Sequence, residues 1–144
     1  MTILKKLSAS YFKPKTFESH RDKTVYDYLG IKTYKKYLPT TGDIVRRWTK
    51  RKQIKFGQDD KIGELYKYER QTRKYEWRHI IGFIVFIILT FMIERSLTVI
   101  DCLILISLNL YINVFPILLQ RHNRIRLIVV LRNNGYVSPY DNVE

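Results

Sequence analysis

The sequence predicts an all-α integral membrane protein, a two-helix transmembrane hairpin with a basic, partly helical N-terminal region that is cytoplasmic or interfacial. Two observations predict this fold class. The first is a pair of uncharged apolar runs, residues 80–93 and 102–119, which leave no helical face polar and therefore belong in lipid or in a deep core. The second is size, because a chain of 144 residues has no core deep enough to enclose both runs.

The charges are segregated along the chain. Residues 1–78 hold 21 of the 26 basic residues and 9 of the 13 acidic ones, a net charge of +12, whereas residues 79–119 hold only Glu94, Arg95 and Asp101. The total of +13 suits a membrane surface or nucleic acid. No helix-turn-helix or other nucleic-acid-reading motif is present, so no nucleic-acid partner is expected. One cysteine excludes a disulfide framework.

Residues 1–60 are expected to form a basic, aromatic-rich cytoplasmic or interfacial region, since lysines interleaved with aromatic rings suit the lipid headgroup layer. Val25, Tyr28, Leu29 and Ile31 are expected to line one face of a short helix. Gly30 is expected to interrupt or end that helix.

Residues 61–127 are expected to form the membrane region. The stretch from Lys61 to Arg78 lacks proline and is rich in helix formers, so one helix is expected to run from it into the first apolar run. A full span takes about 20 residues, so a thinned, tilted or partly re-entrant first segment stays open as an alternative. The predicted parts are a first transmembrane helix at 79–95, a turn at 94–98, a second transmembrane helix at 99–119, a basic cluster at 120–126 and a C-terminal tail at 128–144.

The basic flanks predict the orientation of the hairpin. Five basic residues between positions 67 and 78 precede the first apolar run, and three arginines between 121 and 126 follow the second. Only Arg95 lies in the turn. By the positive-inside rule, both termini are expected on the cytoplasmic side.

The first candidate site consists of Thr72, Glu76 and His79, whose spacings of four and three residues place them on one helical face. A carboxylate beside an imidazole orients it and raises its basicity, which suits a general base. An interfacial pair without catalytic function is the alternative, and from spacing alone it is favoured. No metal site is expected, because the chain has three histidines and no second E-x-x-H motif.

The second candidate site is the basic cluster at the end of the second apolar run. Guanidinium groups bind phosphate well, so a phospholipid, a diphosphate lipid or coenzyme A would fit there. A plain stop-transfer cluster is the alternative, but a simple anchor needs no amide side chains. The candidate ligand-binding residues are Gln120, Arg121, Asn123, Arg124 and Arg126.

Two asparagines and a proline interrupt the second apolar run. Asn109 and Asn113 are four residues apart and share a helical face, which is expected to look toward protein because an unpaired amide is costly in lipid. Pro116 is expected to kink the helix or to free a backbone carbonyl. Either helix packing or a polar pocket explains these residues.

Taken in order along the chain, these motifs resemble the glycosyl-4,4'-diaponeurosporenoate acyltransferase family of small bacterial membrane proteins. The likeness covers roughly residues 11–127 and is most specific in the segment 120–127. The sequence departs from the family pattern at Gln71, Ile80 and His122, among other positions. The residues that carry the resemblance are Glu18, Tyr26, Gly30-Ile31, Tyr34-Lys35, Leu38-Pro39, Gly42, Thr72, Glu76, His79, Asn113 and Gln120-Arg121-His122-Asn123-Arg124-Ile125-Arg126-Leu127.

The resemblance implies a membrane acyltransferase of the bacterial inner membrane that moves a fatty acyl group to a hydroxyl of a glycosylated lipid or similar acceptor. His79 would be the general base, oriented by Glu76, and the arginines would hold phosphates or the carbonyl oxyanion. Asn113 and Gln120 would bind the acceptor. No cofactor is implied beyond an acyl donor such as acyl-CoA or a phospholipid.

The alternative function is a non-catalytic small membrane subunit that docks on, or assembles, a larger membrane complex. Under either function, membrane lipids are expected partners. Two helices make a poor closed pocket, so a homo-oligomer or a larger membrane complex is expected as well.

Overall fold

The computed structural model describes residues 10–20, 23–37, 61–92 and 97–141. The expected all-α architecture is confirmed apart from a ribbon of two antiparallel two-residue strands. The predicted region 1–60 is therefore described only in its first part. The elements are a 3-10 turn at Thr16–Glu18, strands β1 (Ser19–His20) and β2 (Lys23–Thr24), helices α1 (Val25–Tyr28), α2 (Ile31–Tyr37), α3 (Lys61–Phe91) and α4 (Val99–Asn109), a π-helical segment (Leu110–Val114) and helix α5 (Phe115–Asn133).

Helix α4, the π-helical segment and α5 form one continuous helix, Val99–Asn133. Within the described residues, it is the one helix that is long and apolar enough to cross a membrane. Helix α3 has 31 residues, but its uncharged part, residues 80–91, is shorter than the roughly 20 residues of a full span. The two-helix transmembrane hairpin is therefore not confirmed, because only one spanning helix is found.

Helix α3 runs without a break from the basic segment into the apolar one, as the sequence predicts. It packs antiparallel on the second long helix, since the contacts between them follow one another in reverse order along the two helices. Gly82 lies against Asn113 near one end, and Glu76 lies against Arg121 further along. A side chain at Gly82 would bring its Cβ to 2.7 Å from Asn113 Oδ1. Glycine thus permits the close approach of the two helices.

Apolar side chains cover the outside of the described part of the chain between positions 81 and 112. Phe91 at the end of α3 is 85% exposed, and Val99 at the start of α4 is 77% exposed. Large apolar side chains also point outward along the rest of α4 and the π-helical segment. Contiguous apolar surface of this kind is typical of a membrane-facing surface.

Thr98 fixes the start of α4 through a capping box. Its hydroxyl accepts a hydrogen bond from the Asp101 N–H, and the Asp101 carboxylate accepts one from the Thr98 N–H. Asp101 therefore lies in the first turn of the second long helix, where the sequence predicts it. Residues 94–96 of the predicted turn at 94–98 lie outside the described residues.

Pro116 follows a local change in helix type. Proline lacks the N–H that would continue the α-helical hydrogen-bond pattern. The five residues Leu110–Val114 adopt the wider π-helical pattern, in which the Phe115 N–H donates to the Leu110 carbonyl. This irregularity leaves the long helix continuous, so the effect of Pro116 is a π-helical turn.

The N-terminal elements pack on α5. Tyr26 and Ile31 form an apolar cluster with Leu119 and Ile125. The predicted apolar face of this segment is wrong except at Ile31, because Val25, Tyr28 and Leu29 are exposed. Helix α1 has only four residues and ends before Gly30. The φ of Gly30 is 73°, so the chain changes direction at this residue. Val25 and Tyr28 thus lie on α1 and Ile31 begins α2, while Leu29 lies between the two helices.

The C-terminal end is more ordered than the predicted tail at 128–144. Helix α5 continues to Asn133 and buries Ile128 and Leu131. Gly135, with φ of 77°, follows the end of the helix. The chain then turns back so that Tyr140 is buried against Phe12 and Ile128. Burial of these apolar side chains explains why the helix extends beyond the basic cluster.

Candidate functional site

Glu76 is the centre of a buried charge cluster between α3 and α5. Its side chain is fully buried. Glu76 Oε1 accepts a hydrogen bond from Arg121 Nε at 2.9 Å, and Oε2 accepts one from Arg124 Nη2 at 2.6 Å. Charge-assisted bonds of this kind offset the cost of removing the carboxylate from water. One anion thus holds two arginines one helical turn apart.

Glu18 joins the cluster from the N-terminal segment. Arg121 Nη1 donates to Glu18 Oε1 at 2.9 Å, and the Tyr26 hydroxyl donates to the same oxygen at 2.5 Å. Burial by itself would raise the pKa of Glu18. The hydrogen bonds from Tyr26 and from the Lys15 N–H, together with the Arg121 charge, outweigh burial and hold that pKa below its usual value. Arg121 therefore bridges two ionised carboxylates.

Two aromatic rings lie beside the arginines. The Arg121 guanidinium is 4.8 Å from the centre of the Tyr11 ring, and the Arg124 guanidinium is 5.1 Å from that of the Phe12 ring. These are cation–π distances. Nε and Nη1 of Arg124 are buried and hydrogen-bond no described residue. Arg124 thus retains two N–H donors beyond its pair with Glu76.

A second buried carboxylate, Glu69, lies two turns before Glu76 on the same face of α3. Its side chain accepts hydrogen bonds from the Tyr140 hydroxyl and, at 2.9 Å, from Arg73 Nη2. Burial raises the pKa of Tyr140, and the Glu69 carboxylate raises it further. Thr72 is also buried here, and its hydroxyl donates to the Glu69 carbonyl oxygen at 2.7 Å.

His79 lies one turn beyond Glu76, where the apolar part of α3 begins. Its side chain is half-buried, and it makes no hydrogen bond or ion pair with another described residue. Both Glu76 oxygens bind arginines, so the expected orientation of His79 by Glu76 is not found. The reason is charge, because a buried carboxylate binds two permanent cations more strongly than a neutral imidazole.

Asn109 and Asn113 form the buried pair that the sequence predicts. Asn113 Nδ2 donates to Asn109 Oδ1 at 2.7 Å, and both side chains are buried. Asn113 Oδ1 faces Gly82 on α3. Of the two explanations left open by the sequence, these contacts favour helix packing over a polar pocket.

The remaining residues of the basic cluster divide between two sides of α5. Gln120 and Asn123 are half-buried, Arg126 is exposed, and none of the three hydrogen-bonds another described residue. The contacts of Glu76 with Arg121 and of Gly82 with Asn113 put His79 close to the level of residues 117–120. Gln120 and His79 therefore lie in one layer, while Arg126 lies apart from it.

His122 faces the N-terminal segment. Its Nδ1 is 3.0 Å from Thr24 Oγ1, and the Thr24 hydroxyl donates to Asp27 Oδ2 at 3.0 Å. The Thr24 proton is thus directed to Asp27, so His122 Nδ1 carries a proton and donates it to Thr24. This contact fastens the N-terminal segment to α5.

Sequence reasoning did not single out the second carboxylate of α3 or the tyrosine that pairs with it. Glu69 and Glu76 are seven residues apart, a spacing that repeats on one helical face. This spacing, together with the basic cluster on the other helix, could have predicted that two carboxylates share one face of α3. Tyr140, in contrast, carries no local signal in a segment of turn-forming residues.

Comparison with known proteins adds one finding. The model of the glycosyl-4,4'-diaponeurosporenoate acyltransferase family matches residues 8–133. No curated protein and no solved structure matches the chain. The matched range contains the Glu76 cluster and both long helices.

Proposed function

The chain belongs to the glycosyl-4,4'-diaponeurosporenoate acyltransferase family, and from this membership we propose that it is a membrane acyltransferase. The proposed reaction moves a fatty acyl group to a hydroxyl of a glycosylated lipid or a similar acceptor. The family match supports acyl transfer, and the apolar helix Val99–Asn133 supports a membrane location. The identities of the acceptor and of the acyl donor are part of the same proposal.

One observation carries the proposal beyond the family. The buried Glu76 with Arg121 and Arg124 lies within two turns of the start of the apolar part of α3. A lipid-borne hydroxyl and a fatty acyl chain both reach this level from the apolar side. Guanidinium N–H donors fixed at such a boundary are suited to a developing oxyanion, because they need no reorganisation during the reaction.

His79 is the proposed general base. Its ring nitrogens are not engaged by described residues, and it lies between the cluster and the apolar surface. His79 takes the proton of the acceptor hydroxyl while the hydroxyl oxygen forms a bond to the acyl carbonyl carbon. The bond from that carbon to the carrier atom then breaks, and the carrier atom leaves with the proton from His79.

The carboxylates have a positioning role in this proposal. Glu76 and Glu18 each accept one hydrogen bond from Arg121 and so hold its guanidinium group near the proposed position of the acyl carbonyl oxygen. Arg124 adds donors that no described residue uses. Gln120, level with His79, is the proposed contact for the acceptor. Asn123 and Arg126 are proposed to contact lipid headgroups. Thr72 and Asn113, given their buried contacts, support the helix pair.

The membrane arrangement is proposed as follows. The apolar part of α3 inserts beside the spanning helix, fully or as a shortened segment, in the bacterial inner membrane with both termini cytoplasmic. The basic flanks of the two helices support this orientation. A homo-oligomer would cover the open sides of the two helices, since few helices enclose a substrate poorly.

The test is acyl transfer by the protein in membranes supplied with acyl donor and glycolipid acceptor. His79→Ala is expected to lower turnover by about 100-fold or more, the usual contribution of a general base. The matched control is His122→Asn, whose amide N–H can still donate to Thr24, and which should keep turnover within about tenfold. Undiminished turnover in His79→Ala would remove His79 from the chemistry.

A second outcome decides between an enzyme and a membrane subunit. Lipid extracts of cells with and without the gene should differ by an acylated glycolipid. If no lipid changes and the protein co-purifies with a larger membrane complex, the non-catalytic subunit is the function.

A further inference from the structure

A shallow basic groove runs along the side of α3 that faces away from Glu76. Its volume is about 340 Å³. None of its four cations forms an ion pair with another described residue, unlike Arg73, which turns to Glu69. Only residues of α3 line it, and we call it the α3 groove: Lys67, Arg70, Gln71, Lys74, Tyr75 and Arg78.

Tyr75 holds neighbouring side chains in place in the half of the α3 groove that is nearer to the apolar part of α3. Gln71 Nε2 donates to the Tyr75 hydroxyl at 3.0 Å, and the Arg78 guanidinium lies 5.5 Å from the centre of the Tyr75 ring. A hydrogen bond and a cation–π contact thus hold side chains that would otherwise move freely in solvent. The groove presents four positive charges and no acidic side chain.

We propose that the α3 groove binds the phosphate groups of the acyl donor, and that this donor is a coenzyme A thioester. The inference rests on the proposed acyl transfer. Lysine and arginine bind phosphate oxygens through charge-assisted hydrogen bonds, and the absence of a carboxylate lining leaves all four charges for an anion. A phosphate-rich ligand is therefore the chemical class that fits.

The length of the groove distinguishes a soluble donor from a membrane lipid. Lys67 and Arg78 are eleven residues apart, about 16 Å along a helix, and Lys67 is about 20 Å from Ile80. The headgroup layer on one side of a bilayer is only about 5–7 Å thick. Lipid phosphates would therefore reach Arg78 and Lys74 but not Lys67. Coenzyme A carries its phosphates at its nucleotide end and its thioester at the end of a long uncharged arm, so phosphates bound near Lys67 and Arg70 leave the arm to follow the groove toward Arg78.

The groove also leads toward the proposed base. Tyr75 and His79 are four residues apart on α3 and share a face. A donor with its phosphates beside the cations would thus direct its thioester toward His79 and its acyl chain toward the apolar surface. Thiol release then follows the transfer step already described, with the thiolate sulfur receiving the proton from His79.

The experiment measures coenzyme A binding to the full chain in nanodiscs of phosphatidylcholine by calorimetry. Lys67→Gln/Lys74→Gln should weaken binding at least about tenfold, which corresponds to about 1.4 kcal/mol. The control Lys35→Gln/Lys36→Gln removes the same charge from α2 and should change binding less than about twofold. Equal losses in both variants, or no loss in the groove variant, would overturn the inference.

A second arm separates the two sources of phosphate. The same variants are placed in nanodiscs of mixed phosphatidylcholine and phosphatidylglycerol, and the phosphatidylglycerol that each protein retains after extraction in mild detergent is measured. If the groove variant loses retained phosphatidylglycerol but keeps coenzyme A binding, the groove is a lipid contact and the inference fails.

These results are distinguishable from a failure of the proposed function. Coenzyme A binding needs no turnover, so groove binding combined with unchanged lipids in cells would contradict the acyltransferase alone. If acyl transfer requires His79 but is unchanged in the groove variant, only the proposed role of the α3 groove is contradicted.

Discussion

The two ends of the paired helices bury opposite kinds of side chain. At the end formed by residues 61–79 and 115–141, carboxylates and guanidinium groups lie inside, and Glu69 and Glu76 are fully buried. At the other end, the outside is apolar and Phe91 is 85% exposed. In water, a protein can bury charged side chains only if they are paired. In lipid, apolar side chains can face outward without such pairing. The contrast indicates that one pair of helices is adapted to two solvents.

The largest expected effect comes from breaking the charged end. Arg124→Ala leaves the buried Glu76 with only Arg121, so unfolding free energy should fall by about 3–5 kcal/mol, the usual cost of removing one partner of a buried ion pair. The measurement is denaturant unfolding in detergent. Arg126→Ala, at an exposed position of α5, is the control and should change stability by less than about 0.5 kcal/mol. Equal losses would mean that the Glu76 cluster adds nothing specific.

Tyr140→Phe tests how far the charged end extends. It removes the hydroxyl that donates to Glu69 and leaves the ring against Phe12. Stability should fall by about 1.5–3 kcal/mol, the range for a hydrogen bond to a charged group. Tyr136→Phe, on an exposed side chain, is the matched control. A negligible loss in the first variant would separate the last residues from the folded unit.

The N-terminal segment that packs on the charged end should respond to acid. Burial alone would raise the pKa of Asp27, but hydrogen bonds from the Thr24 N–H, from Lys32 and from the Thr24 hydroxyl outweigh it and lower the pKa to about 2. A depressed pKa contributes stability above the unfolded value of 3.8, and this contribution of about 2 kcal/mol disappears as pH falls through 3.8 toward 2.

Asp27→Asn isolates that contribution in unfolding curves recorded between pH 6 and about 2. The variant should be less stable than the original protein at neutral pH, and the difference should vanish near the lowest pH. A constant difference across the whole range would show that the Asp27 charge is not what matters.

The smallest expected effect lies at the apolar end. Leu103 is 59% exposed, so Leu103→Ala in lipid exchanges one apolar contact for another and should cost less than about 0.5 kcal/mol. Leu131→Ala removes the same atoms from a fully buried site of the charged end and should cost about 2–5 kcal/mol. Comparable losses would show that Leu103 lies in a protein core, and the contrast between the apolar end and the charged end would then be wrong.

Local patterns predicted the features that depend on neighbours along the chain. Asn109 and Asn113 were expected to share an inward face because their spacing is four residues, and they do. An irregularity at Pro116 was expected from its missing N–H, although the sequence predicted a kink or a free carbonyl and not a π-helical segment. The run of α3 through its charged and apolar parts follows from good helix formers without proline.

Contacts between distant segments were not predictable in the same way. Glu18 appeared only as one residue of a family motif, and nothing in its neighbourhood indicates Arg121 as its partner. The expected partnership of Glu76 with His79 relied on helical spacing, which ignores cations supplied by another helix. The apolar face assigned to the N-terminal segment failed because Gly30 divides that segment into two helices.

The ion pair between Arg121 and Glu18 constrains the order in which the protein can fold during its synthesis. These residues are separated by 103 positions, so at about 5–20 residues per second Arg121 is synthesised roughly 5–20 s after Glu18. Until then, the N-terminal segment has no second long helix to pack on. The charge cluster therefore forms only after the apolar part of the chain has been synthesised, and it joins an early segment of the protein to a late one.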